Sequence, residues 1–314
     1  MLDSDALFER RRLKRRLSLW RAGAILAIVV AAMVIAGGSA SMFGLSDGAS
    51  VLGRPYVARV VIDEAITEDQ LRREALDQLA ENENAKAVLL YINSPGGSTF
   101  GSEELFIALR RIAENKPVVA VIGTIGASGG YMTALAADRI FAGESSIVGS
   151  IGVLFQTVEV SKLLEKIGVS ADTITSGPYK AEPSPFKPLS ERARQATQVM
   201  VNQTNEWFVG LVRERRHMTA EQVTKVTDGR VFIGRVGLTL GLIDQLGGER
   251  DAREWLENEH KISRDLPIKT VKWRGATEDW RDFFTEHAAS LFGKAFLSER
   301  LGLDGLVSLW HPDH

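Results

Sequence analysis

Ala87-Val88-Leu89-Leu90-Tyr91-Ile92-Asn93-Ser94-Pro95-Gly96-Gly97 decides the fold. Six residues free of charge and bounded by turn-formers read as a strand covered on both faces. Asn93-Ser94-Pro95-Gly96-Gly97 breaks that strand. Upstream, Tyr56–Ile62 is β-branched and apolar, a second strand. Between them the periodicity predicts a helix from Thr67 to about Glu81, with Ile66, Leu71, Leu76 and Leu79 apolar and Thr67-x-x-Gln70 as a capping box. Downstream, a helix over Ser102–Asn115 is stopped near Pro117, and Val118–Ile122 is the next strand. Gly123–Ser128 reads as a turn, Gly129–Ala137 starts a helix, and Ile140–Ala142 is a short strand. Strands alternating with helices imply an α/β fold, a parallel sheet with crossover helices. Ligands of such sheets sit beyond the carboxyl ends of the strands, and both glycine-rich turns fall there, on one rim.

Farther along, Ser190–Arg216 is a long amphipathic helix carrying Ala193, Ala196, Met200, Phe208 and Leu211 at helical spacing. Asp228-Gly229-Arg230 is a turn, and Gly241–Gly248 suggests a short closing strand. Residues 275–310 place Trp280, Phe283, Phe284, Leu291, Phe292 and Phe296 at spacings of three and four. That segment reads either as a packing helix or as a membrane-surface or subunit contact.

The 314-residue chain is 45% apolar and 25% charged, with a net charge of −2, which suits a globular protein and gives no nucleic-acid surface. The absence of cysteine excludes disulfides, Cys-based zinc sites and a thiol nucleophile. Residues 1–21 form a basic segment with seven Lys/Arg against three acids. Ala22–Leu45 then runs 24 residues without a charge, enough to span a bilayer. The basic side stays cytoplasmic, so the chain is expected to be a single-pass protein of the inner membrane with its catalytic part periplasmic. A cleaved leader ending near Ser39-Ala40-Ser41 is the alternative. The expected organisation is therefore a basic segment (1–21), an anchor (22–45), a linker (46–54), a main domain (55–260) and a C-terminal amphipathic segment (261–314).

Three stretches converge on one chemistry: Asn93–Gly97, Gly126-Ala127-Ser128-Gly129-Gly130-Tyr131, and Tyr179-Lys180. No histidine precedes His217, so a serine nucleophile in this region needs another base, and Lys180 is the outstanding candidate. A serine hydroxyl attacks only once a base takes its proton. Lysine serves when neutral, which its reference pKa of about 10.4 makes rare unless the amine is buried away from carboxylates. Glu182 would then have to point elsewhere. Gly97 and Gly129, one from each turn, are the natural pair of oxyanion donors. Against this stand plainer readings: Ser128 as a helix N-cap, Ser94–Gly97 as a mere turn, Lys180 as a solvated loop residue. His217, in a charged run, reads as a solvated helix end. Gly126–Gly130 fits Gly-x-Ser-x-Gly by letters, but the histidine and acid of that elbow are not evident.

At these residues the chain resembles the signal peptide peptidase A family in its short bacterial form. The matching pieces are Tyr91–Gly97, Gly126–Tyr131, Ile147-Val148-Gly149-Ser150-Ile151-Gly152-Val153, Ser176–Lys180, and Asp228–Gly234 with Gly241–Asp244. The resemblance covers about 55–255. It implies a Clp-protease/crotonase-like fold behind an N-terminal transmembrane helix, and a membrane-anchored Ser–Lys protease. Carried over, Ser128 is the nucleophile, Lys180 the general base, Ser150 the serine that orients the lysine, and Gly97 with the Gly129 N–H the oxyanion hole. It implies a ring-shaped homo-oligomer with sites shared between protomers, apolar peptides such as released signal peptides as substrates, and no metal or cofactor. A protease that cuts one specific membrane-protein partner, and an inactive membrane scaffold, are the rival readings.

Overall fold

The computed structural model describes residues 53–273 and the strand Val307–Leu309. The anchor, the basic segment and most of the C-terminal segment lie outside the described residues. Among the described residues no helix is long and apolar enough to cross a membrane.

In chain order the elements are β1 (Tyr56–Asp63), α1 (Gln70–Glu81), β2 (Ala85–Ser94), β3 (Gly96–Ser98), α2 (Thr99–Ala113), β4 (Val118–Ala127), α3 (Gly129–Ala134), β5 (Arg139–Ala142) and β6 (Ile147–Gly149). There follow α4 (Ser161–Lys166), α5 (Glu191–Arg215), α6 (Ala220–Thr224), β7 (Val231–Ile233), α7 (Gly234–Thr239), β8 (Gln245–Leu246), α8 (Glu249–His260), β9 (Ile268–Thr270) and β10 (Val307–Leu309). An eight-stranded sheet runs β7-β6-β4-β2-β1-β9, with β5 also on β4 and β8 on β5. The sheet is mixed rather than wholly parallel, because β6 and β7 pair antiparallel. β9 pairs with β1, so the sheet takes in residues past the expected boundary at 260.

Alternation along the strands explains why the central runs are apolar throughout. Ala58, Val60, Ile62, Val88, Leu90, Ile92, Ala120 and Ile122 face one core with Leu76 and Leu79 of α1, Leu105 and Leu109 of α2, and Phe208 of α5. Val57, Ala87, Leu89, Val119 and Val121 face the other, under Ala252 and Leu256 of α8. Covering both faces removes the polar half of the strand pattern. Helix starts are set by side-chain caps. Asp69, rather than Thr67, caps α1 by accepting from Arg72 N–H at 3.0 Å. Ser98 caps α2 by accepting from Gly101 N–H at 3.1 Å, so this helix begins three residues before Ser102. Ser190 caps α5.

The site depends on β4. Val118–Ile122 pairs with β2, whereas Ile125–Ala127 pairs with β6. The glycine-containing segment expected as a turn is therefore strand up to Ala127. Past a register shift, Ser94 at the end of β2 lies opposite Gly126. The two carboxyl ends thus stand next to each other.

Candidate active site

Ser128 joins β4 to α3 with φ 55° and ψ −118°, a conformation L-residues rarely adopt. Such strain costs on the order of 1–3 kcal/mol and persists only where the surroundings enforce it. Here they do: Ser128 N–H donates to the Gly149 carbonyl (2.8 Å), and its own carbonyl accepts from Met132 N–H (2.9 Å). The residue is buried, yet its side chain makes no capping bond to α3. Ser128 does occupy the N-cap position of α3, as the plainer reading has it, but its hydroxyl makes no capping bond to the helix that follows.

Gly97 occupies the middle of β3, which the glycine-turn reading had missed. Ile66 N–H donates to the Gly96 carbonyl and Ser98 N–H to the Ile66 carbonyl, both at 2.8 Å. Since successive residues of a strand turn their polar groups to opposite edges, the N–H and C=O of Gly97 face away from Ile66. Any side chain at Gly97 would put Cβ 1.8 Å from the Ile66 carbonyl oxygen. At Gly129 a Cβ would lie 2.2 Å from Ser102 Oγ and 3.2 Å from the Gly97 nitrogen. The two predicted donors are therefore side by side. Gly129 N–H opens α3 and has no carbonyl four residues back within its helix.

Three buried hydroxyls fix β3 in place, and two of them were not singled out from the sequence. Ser94 Oγ accepts from Gly96 N–H (3.2 Å), Ser98 Oγ caps α2, and Ser102 Oγ donates to the Ser98 carbonyl (2.9 Å). The signal was present as serines spaced by four across a Gly-Gly pair. Ser150 follows the Gly149 whose carbonyl holds Ser128; it is buried, has φ 51°, and donates its N–H to the Arg230 carbonyl (2.9 Å). The motifs around 150 and 230 thus meet as the β6–β7 pair.

Lys180 is placed differently. It is exposed, on an arm of largely exposed residues between β6 and α5, with its N–H on the Gly177 carbonyl (3.1 Å). The desolvation expected of it is not found within a single chain. Glu182 does point elsewhere: its carboxylate pairs with Lys187 at 2.6 Å. Among the described residues, eight of the seventeen exposed large apolar side chains fall between Leu154 and Phe186 on this arm, Ile174 being 98% exposed.

Behind the serine, Tyr131 is wholly buried and donates to the Leu242 carbonyl (2.6 Å); burial pushes its hydroxyl pKa well above the ordinary value. Arg216 grips both oxygens of Asp244 (3.1 and 2.7 Å) and the Gly241 carbonyl (2.7 Å). This network ties α3 to the end of α5 and to the turn before β8. His217 is exposed at the end of α5, the solvated position expected for it.

Comparison with known proteins gives a consistent result. The model of peptidase family S49 matches residues 110–263, and that of Clp protease matches 51–148, in agreement with the mixed α/β sheet. A Synechocystis protein named "Putative protease" is 38% identical over 64% of this chain and 73% of its own length. A Methanocaldococcus jannaschii protein of the same name is 39% identical over 60% of each chain. The "Putative signal peptide peptidase SppA" of Enterococcus faecium is 35% identical over 60% of this chain and 55% of its own.

Proposed function

Because the chain belongs to peptidase family S49, a family of serine proteases, we propose that it is a membrane-anchored serine endopeptidase that hydrolyses released signal peptides and other short apolar peptides through Ser128 and Lys180. The observation that carries this reading is the buried Ser128 at φ 55°, held beside the adjoining Gly97 and Gly129. Ser128 Oγ attacks the scissile carbonyl as neutral Lys180 takes its proton. The oxygen's developing charge is held by the N–H groups of Gly97 and Gly129. Collapse expels the amine, which takes the proton from Lys180. Water, deprotonated by the same lysine, then frees the acyl group and returns Ser128.

The exposed position of Lys180 fits assembly. A second copy laid over the apolar arm would remove water from the amine and bring it to a neighbour's serine, as expected of a ring with shared sites. Ser150, beside the Gly149 that holds Ser128, is the proposed orienting group for that lysine. Residues 22–45 would anchor the ring in the inner membrane, with the peptidase domain on the periplasmic side, where spent apolar peptides reside. Two single variants test this on the purified full-length assembly. Ser128→Ala and Lys180→Ala are each expected to abolish hydrolysis of an apolar reporter peptide, and a fluorophosphonate probe should label wild type but not Ser128→Ala. Near-normal turnover by either variant would falsify the pair, and absence of labelling would favour an inactive scaffold.

A further inference from the structure

Lys180 sits in a turn held mostly by its own short-range bonds. Its N–H donates to the Gly177 carbonyl (3.1 Å), Thr175 Oγ1 donates to the same carbonyl (3.0 Å), and Glu182 N–H donates to the Tyr179 carbonyl (3.3 Å). Among the described residues, only Arg192 makes a hydrogen bond or ring contact with this turn from outside the arm. Arg192 lies in the first turn of α5. Its Nη2 donates to the Pro178 carbonyl (3.0 Å), and its guanidinium carbon lies 5.1 Å from the centre of the Tyr179 ring. The two contacts grip the backbone that leads directly into Lys180. The helix itself does not favour this placement, because a cation at a helix N-terminus opposes the macrodipole. Ser190 caps α5 and Ala193 is buried, so the helix is anchored on either side of Arg192. We propose that Arg192 is a positioning residue, which fixes Pro178 and Tyr179 to α5 and so sets where Lys180 is carried when a site is completed. The inference rests on Lys180 being the base. A contact remote from the serine suffices, because misplacing a reacting group by about 1 Å can cost about a hundredfold in rate.

Kinetics and hydrogen exchange on the purified full-length protein test this. Arg192→Ala is expected to lower kcat for a reporter peptide about tenfold, with KM within about twofold of wild type. Arg192→Lys keeps a cation for the ring and a donor for the carbonyl, and should recover part of that loss. Tyr179→Phe should match wild type, and Tyr179→Leu should be slowed. Joined to Arg192→Ala, Tyr179→Leu should cost less than the product of the two single losses, because both cut one contact. Alanine suits the start of α5 better than arginine, so the melting temperature should not fall and the loss cannot be traced to the helix. In a Ser128→Ala background, Arg192→Ala should speed hydrogen exchange at the Lys180 amide at least about fivefold. Unchanged exchange overturns the proposal, as does an unchanged kcat in an active enzyme or a double variant whose losses simply multiply. If wild type hydrolyses no peptide, the peptidase reading fails, and the exchange contrast still decides whether Arg192 holds the turn.

Discussion

Ser128 holds a backbone conformation suited to glycine, and this separates its structural role from its chemical one. Ser128→Gly and Ser128→Ala should both be inactive, but the glycine variant should be the more stable by roughly 1 kcal/mol in denaturant melts, since only alanine keeps the strain. Gly97→Ala tests the neighbouring donor. Its Cβ would collide with the Ile66 carbonyl oxygen at 1.8 Å, so β3 has to shift. A kcat loss of about a hundredfold or more is expected from one displaced oxyanion donor. Retention of kcat with β3 intact would remove Gly97 from the site. These roles were partly legible in the sequence: glycines flanking a serine, with no histidine upstream of position 217, point to the chemistry. The positive φ of Ser128 and Ser150 was not legible, because it is imposed by carbonyl partners distant in sequence, Gly149 in β6 and Arg230 beside β7.

At the scale of elements, caps and edges decide where the site sits. Asp69→Ala should cost about 1 kcal/mol of stability through loss of the α1 cap, and Thr67→Ala far less. Equal losses would restore the capping box read from Thr67 and Gln70. Strands β1, β2, β4 and β5 were readable as apolar runs, because burial on both faces leaves a continuous signal. β3 was not, because Gly96 and Gly97 carry every mark of a turn while their partners are Ile66 and a strand about two hundred residues onward. Local chemistry holds no trace of pairing at that separation. Ser98 and Ser102 were passed over for a related reason: buried hydroxyls look like surface residues until their acceptors are known.

The whole molecule divides the proposed pair between two settings. If sites are completed across protomers, mixing Ser128→Ala with Lys180→Ala before assembly should restore part of the activity that neither has alone. The mixed sites that inherit both an intact serine and an intact lysine would supply it, and a mixture as inert as its parents would place both groups in one chain. Ser128, Gly97 and Gly129 are bolted to the sheet through β2, β4 and β6, whereas Lys180 rides an arm with little core of its own. Dilution or gentle warming that parts the subunits would then disarm the protein while every strand stays folded. Catalysis would fade ahead of melting and return on reconcentration, a reversible safety catch for a hydrolase kept among other proteins.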